Sequence, residues 1–161
     1  MVKLEDFVTH EDPKTKELKE AIMAGEKALN SLEEARNSFR SASNWGIFDM
    51  LGGSTLISLG KHSKIKDGQY KLDKAKDDLY AFEKELKDVE YNISINIDID
   101  NMTYMFDVFF DNFFADFMVQ NKINDVIERI DEVIRDVKEV LKVLKEQLWI
   151  KKNYQKWKYR N

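Results

Sequence analysis

The sequence predicts an all-α fold, an antiparallel bundle of three to four long, coiled-coil-like helices with one short extended segment. Three observations predict it. Helix breakers are few and early: the 161 residues include six Gly and one Pro, and none of them lies beyond Gly68. Charged residues make up 35% and hydrophobic residues 43%, a balance that suits long solvated helices better than a loop-rich or disordered chain. Over most of the length, apolar residues recur at steps of three and four, which places them on one helical face. The expected organisation is a single domain over residues 1–161.

The first helix is expected over 13–41. Asp12 can cap it, and Pro13 sits where a missing N–H costs nothing. Leu18, Ile22, Gly25, Leu29, Leu32 and Phe39 form its stripe, with Ala21, Ala28 and Ala35 beside them. Residues 42–62 break the pattern, because only Asp49 and Lys61 are charged there. They read as an apolar corner in which Gly52 and Gly53 turn the chain, while Trp45, Phe48, Met50 and Leu51 plug one end of the bundle. Trp45, Asp49 and His62 could line a small pocket there, although a satisfied corner needs the same residues.

A second helix is expected over 63–90, where Ile65, Gly68, Leu72, Ala75, Leu79, Phe82, Leu86 and Val89 alternate steps of three and four in the manner of a coiled-coil seam. Residues 91–100 then change to period two. Ile93, Ile95, Ile97 and Ile99 alternate with polar residues, as in an extended segment with one buried face. A lone strand leaves its edge unpaired, so this segment is expected either to lie along the bundle or to pair with a second copy.

The helical period returns over 102–150. Met102, Phe106, Phe109, Phe110, Phe113, Phe114 and Phe117 make a wide aromatic stripe, followed by Ile123, Ile127, Ile130, Ile134, Val137, Leu141, Leu144 and Leu148. A straight helix of that length would span about 70 Å, so either a bend near 121–124, with one helix or two over this stretch, or a dimer is expected. Ile93, Ile95, Ile97 and Ile99 with Phe109, Phe110, Phe113 and Phe114 form the candidate self-association surface.

Chemistry is scarce. With no Cys, disulfides, thiolate metal sites and a cysteine nucleophile are all excluded. Gly53 and Gly60-Lys61-His62-Ser63 resemble a phosphate loop only in outline: Thr55 stands where Gly is required, and His62 stands where Ser or Thr is required. His10 and His62 lack the Glu-x-x-His spacing that bundle metal sites use. Asp107, Asp111 and Asp116 read as a solvated border that keeps an aromatic helix soluble, too few oxygens for a hard cation. No catalytic residue, cofactor or metal is expected, and the chain reads as a non-enzyme.

Three segments, NWGIFDMLGG (Asn44 to Gly53), KHS (Lys61 to Ser63) and FFDNFFAD (Phe109 to Asp116), resemble a group of uncharacterised bacterial helical-bundle proteins, mostly from Gram-positive organisms. Those proteins share an NWGxxDxLGG corner followed by KHS and a later FFDxxxxD segment. The likeness covers about residues 40 to 125. It implies a helical bundle and carries no established activity, so it assigns no functional residue.

The net charge of −4 hides an asymmetry. Residues 151–161 hold Lys151, Lys152, Lys156, Lys158 and Arg160 and no acid, which leaves −9 for the rest. Trp149, Tyr154, Trp157 and Tyr159 are interleaved with these cations. They could contact anionic lipid or nucleic-acid phosphates, but cations at a helix C-terminus also suit the helix dipole with no partner at all. The N-terminal residues lack the apolar core of a signal peptide, and no stretch reaches the ~18 apolar residues of a membrane span, so a cytoplasmic location is expected. The leading functional expectation is a non-enzymatic interaction or scaffold protein whose partner is a second copy or another protein chain. The alternative is a peripheral binder of anionic lipid or nucleic acid through the basic aromatic tail. Nucleic acid and membrane rank below a protein partner, and no small-molecule substrate is inferred.

Overall fold

The computed structural model describes residues 11–50, 55–93, 98, 102–104, 106–111 and 123–160, with side chains at all of these except 45–50, 55–62, 92, 93 and 159. Four helices account for nearly all of them: α1 (Pro13–Met50), α2 (Thr55–Ile93), α3 (residues 102–104 and 106–111) and α4 (Ile123–Arg160). The fold is all-α, with no strand among the described residues.

The stripes read from the sequence form one core. Leu18, Ala21, Ala28, Leu32, Ala35 and Phe39 of α1, the seam from Ile65 to Val89 of α2, and Ile130, Val133, Ile134, Val137, Leu141 and Leu144 of α4 are all buried in a single cluster. Residues three or four apart stack on one face of each helix, and burying that face is what holds these helices in water.

Helix directions follow from partner order. Rising numbers on α1 meet falling numbers on α2, as in Gly25 beneath Phe82, Ser31 with Asp78 and Ser38 with Asp67. They also meet falling numbers on α4, as in Glu26 with Lys145, Glu33 with Lys138 and Arg36 with Asp131. The three long helices converge at Gly25. A Cβ added there would lie 2.7 Å from the Phe82 ring and 2.8 Å from Leu141 Cδ2, so only glycine admits both side chains. Phe39 rests on Gly68 in the same way, its ring 3.0 Å from where a Cβ would be.

The two seams are chemically unlike. Between α1 and α2, Ser31 Oγ donates to the buried Asp78 carboxylate at 2.5 Å, and Lys27 reaches the other oxygen at 2.8 Å. Burial pushes Asp78 up, but the Lys27 ammonium and the Ser31 hydroxyl outweigh it and hold the group below the usual carboxylate range. One turn pair away, Ser38 Oγ donates to Asp67 at 2.6 Å and Lys71 pairs with the same carboxylate, which is likewise lowered, chiefly by the serine hydrogen bond. Between α1 and α4 the contacts are ion pairs nearer the surface, from Glu26–Lys145 to the two arginines, Arg36 and Arg40, that share Asp131.

Several sequence expectations are corrected. α1 starts at Pro13 as expected, but it continues through Met50 instead of stopping near Ser41. α2 begins at Thr55, so residues 42–50 and 55–62 of the expected corner are helical, and residues 51–54 lie outside the described residues. Gly46 and Gly60 therefore sit inside helices. A glycine costs about 1 kcal/mol in a helix interior, too little to end a helix that packs along its length. The extended segment expected over 91–100 loses its start, because α2 runs through Ile93. Residues 151–160 are no separate tail but the last turns of α4. The bend expected near 121–124 falls mostly outside the described residues, although residues 123 and 124 already belong to α4.

Candidate docking face on the last turns of α4

Asp12 marks one end of the bundle. Its carboxylate accepts from the Thr15 hydroxyl at 3.1 Å and from Lys151 Nζ, and the Lys151 hydrogen bond is the main reason its pKa is lowered. α1 starts immediately after Asp12, whereas α4 runs nine residues past Lys151. In the register set by Glu26–Lys145 and Glu33–Lys138, however, α4 ends close to the level of Asp12, which Lys151 reaches along the helix.

Along this stretch the apolar face changes sides. On a wheel of about 100° per residue, Ile130, Ile134, Val137, Leu141, Leu144 and Leu148 share one face. Continued past Leu148, that face is occupied by Lys151, Lys152 and Gln155. Trp149, Ile150, Tyr154 and Trp157 instead fall within about 140° of arc centred nearly opposite the core. Their exposure follows from this: Trp149 is 67% exposed, Tyr154 64% and Trp157 62%. Tyr154 and Trp157 stack on each other with centroids 6.2 Å apart.

The cations fall on both edges of that arc. Lys156 and Arg160 lie at one edge, and with Lys152 and Gln155 of the adjoining core-side face they line a shallow surface recess. Lys158 and Lys151 lie on the other edge, where Lys151 is engaged by Asp12. The first edge continues upward along α4 through Lys145, Lys142 and Lys138. Together with Leu29, Leu141, Glu146, Trp149 and Ile150, these three lysines line an open groove of about 650 Å³. Lys138 and Lys145 are each paired across the seam to a glutamate of α1. The sequence reading included the five tail cations but not this upward continuation, because residues 138–145 were read only for their apolar stripe; the i, i+4, i+7 spacing of Lys138, Lys142 and Lys145 was the available signal.

The other expected sites fare differently. Trp45 and Asp49 belong to α1 and His62 to α2, but their side chains are outside the described ones, as are those of Ile93, Ile95, Ile97, Ile99, Phe113 and Phe114. Phe109 and Phe110 are corrected: they are buried within the chain, in edge-to-face contact at 4.9 Å, with Lys76 over the Phe110 ring at 5.4 Å. They pack α3 against α2, so they are not open to a second copy. Asp107, expected as a solvated border, is exposed but accepts a hydrogen bond from Tyr80 at 2.8 Å, which pushes the phenol up to about 12. Asp111 is exposed, and Asp116 is outside the described residues.

Glu17, Glu20 and Glu85 bring carboxylate oxygens within 4.8 Å of one another, and Glu20 is also paired with Lys16. Three half-buried acids at a helix seam with a lysine beside them are an ordinary acidic edge. Among the described residues no helix is long and apolar enough to cross a membrane. Comparison with family models, with curated proteins and with solved structures gives no match to this chain.

Proposed function

We propose that the protein is a non-enzymatic, cytoplasmic interaction protein, a helical bundle that docks onto its partner through the outer face of the last turns of α4. The observation that carries this reading is the reversal of the apolar face after Leu148. Trp149, Ile150, Tyr154 and Trp157 contribute nothing to the core cluster, and leaving three aromatic side chains more than three-fifths exposed on one short helical face is unfavourable for a helix that needs only to be soluble. Tyr and Trp are among the residues enriched at protein interfaces.

The test compares the full chain with a chain ending at Lys151 in density-gradient fractionation of extracts from expressing cells, alongside light scattering of the purified proteins. The full chain is expected in an assembly heavier than its own mass, and the shortened chain at its own mass with its helices intact. Identical sedimentation of the two would overturn the reading. A purified full chain that already scatters as a dimer, with the shortened chain a monomer, would identify the partner as a second copy.

A further inference from the structure

The make-up of the α4 face discriminates among partners, and the inference below rests on its being the docking surface. We propose that this face binds a bilayer surface rich in anionic phospholipid, with the last three turns of α4 lying in the headgroup region. Three independent features carry the assignment.

The apolar side chains are of the interfacial kind. Trp and Tyr combine a flat apolar body with one polar edge and settle at headgroup depth, and Ile150 adds a purely aliphatic contact beside them. The arrangement is amphipathic in the membrane-surface sense: an aromatic arc turned away from the bundle, with Lys158 on one edge and Lys156 and Arg160 on the other. Long lysine and arginine stems let the charges rise to the phosphates while the rings lie deeper.

The charge distribution favours contact through this end. Outside residues 151–161 the chain carries −9, and an anionic surface repels a body of that charge. The cations of residues 152–160 are gathered at the end of α4 with no acid among them, whereas the acids are spread along the rest of the chain. A membrane touching this end therefore meets the cations first, and acids further back than the Debye length of about 8 Å are largely screened from it. Among the described residues no helix is long and apolar enough to cross the bilayer, and the contact proposed is a peripheral one.

Nucleic acid fits the face less well. Sequence-tolerant binding to single strands uses open ring faces on which bases stack, and Tyr154 and Trp157 already stack on each other with their planes 27° apart. A duplex would be held by phosphate contacts alone and would leave the aromatic arc unused.

The experiment is co-sedimentation of the full chain with vesicles of phosphatidylcholine alone and of phosphatidylcholine with one-third phosphatidylserine, at low and at physiological salt. Binding to the serine-containing vesicles only, weakening as salt rises, is the expected result. Lys152→Ala/Lys156→Ala/Arg160→Ala should weaken that binding roughly a hundredfold, at about fivefold per cation. Trp149→Ala/Trp157→Ala should weaken it more than tenfold, and circular dichroism should show both variants folded.

Equal binding to both vesicle types, no binding to either, or an unchanged affinity in the triple variant would overturn the proposal. So would tight binding of a labelled single-stranded or duplex oligonucleotide by a chain that ignores vesicles. The docking reading fails separately: if vesicles are ignored but the full chain still enters a heavier assembly that the shortened chain does not, the lipid assignment is wrong and the docking face stands. If neither is seen, both fall.

Discussion

From Ile123 to Leu148 and from Trp149 to Arg160, α4 is one unbroken helix, yet its two parts use their apolar residues in opposite ways. The first part sends them into the bundle, where Ile130, Val137 and Leu144 are completely buried. The second turns them to the far side and places Lys151, Lys152 and Gln155 where the core stripe would continue. A helix that served only the core would keep one apolar face throughout. The comparison teaches that the apolar core is complete at about Leu148, and that, among the described residues, the turns beyond it add no side chain to that core.

The strongest way to break the comparison is to put the same kind of change on both sides of it. Leu144→Asp places a charge in a fully buried position and should cost roughly 3 kcal/mol or more, or prevent folding. Trp157→Asp, thirteen residues on, should change stability by no more than about 0.5 kcal/mol, because its ring is 62% exposed. Urea titration of both variants followed by circular dichroism checks the pair, and similar losses would erase the distinction.

Next in size is the convergence point at Gly25. Gly25→Val should destabilise by about 1 to 3 kcal/mol, since its Cβ would press on the Phe82 ring and on Leu141, and the gain in helix propensity offsets only part of that overpacking. Thermal unfolding measures it. A stabilised variant would mean that α2 and α4 approach α1 less closely than described.

The carboxylates sharpen the contrast between buried and outward-facing acids. Asp78 has a lowered pKa in the fold, so its contribution is present above the unfolded value of 3.8 and is lost as pH falls through the folded value. Ser31→Ala removes one of its two partners and should cost about 1 to 2 kcal/mol at pH 7, with a smaller difference in strong acid.

Asp136 on α4 has the opposite sign. Burial, with Glu139 and Glu132 nearby, raises its pKa, so the folded state favours the protonated form and its ionisation lowers stability at neutral pH. Asp136→Asn should therefore stabilise the chain at pH 7, by roughly 0.5 kcal/mol, and the gain should vanish below pH 3.8. Melting curves across that range test both signs, and a destabilised variant at pH 7 would contradict the assignment.

Much of the fold was legible because the helical period is strict. Every position of the stripe from Ile65 to Val89 is buried, and of the six stripe residues on α1 only Leu29 is left half-buried, at the rim of the α4 groove. The helix ends were less legible, since packing along α1 and α2 overrides the local weakness of Gly46 and Gly60, and tertiary burial of that kind leaves no local mark in the sequence. The continuation of α4 through the basic residues did leave one: no Gly or Pro follows Gly68, so nothing there stops a helix. Reading residues 151–161 as a separate tail obscured their phase relative to Leu148, and with it the reversal of the apolar face. The fate of Phe109 and Phe110 was not readable from the aromatic stripe, because a period of three and four describes a face bound for its own core and a face bound for a partner equally well.

The central claim, that the bundle is complete without the turns beyond Leu148, is tested most directly by the melting temperature of the chain ending at Lys151, which keeps the Asp12 contact. The account requires a cooperative transition within about 3 °C of the full chain, equivalent to roughly 1 kcal/mol at this size, with ellipticity reduced only by the missing turns. A fall of about 10 °C or more, or loss of cooperativity, would show that the outward aromatic face supports the fold and would contradict the account.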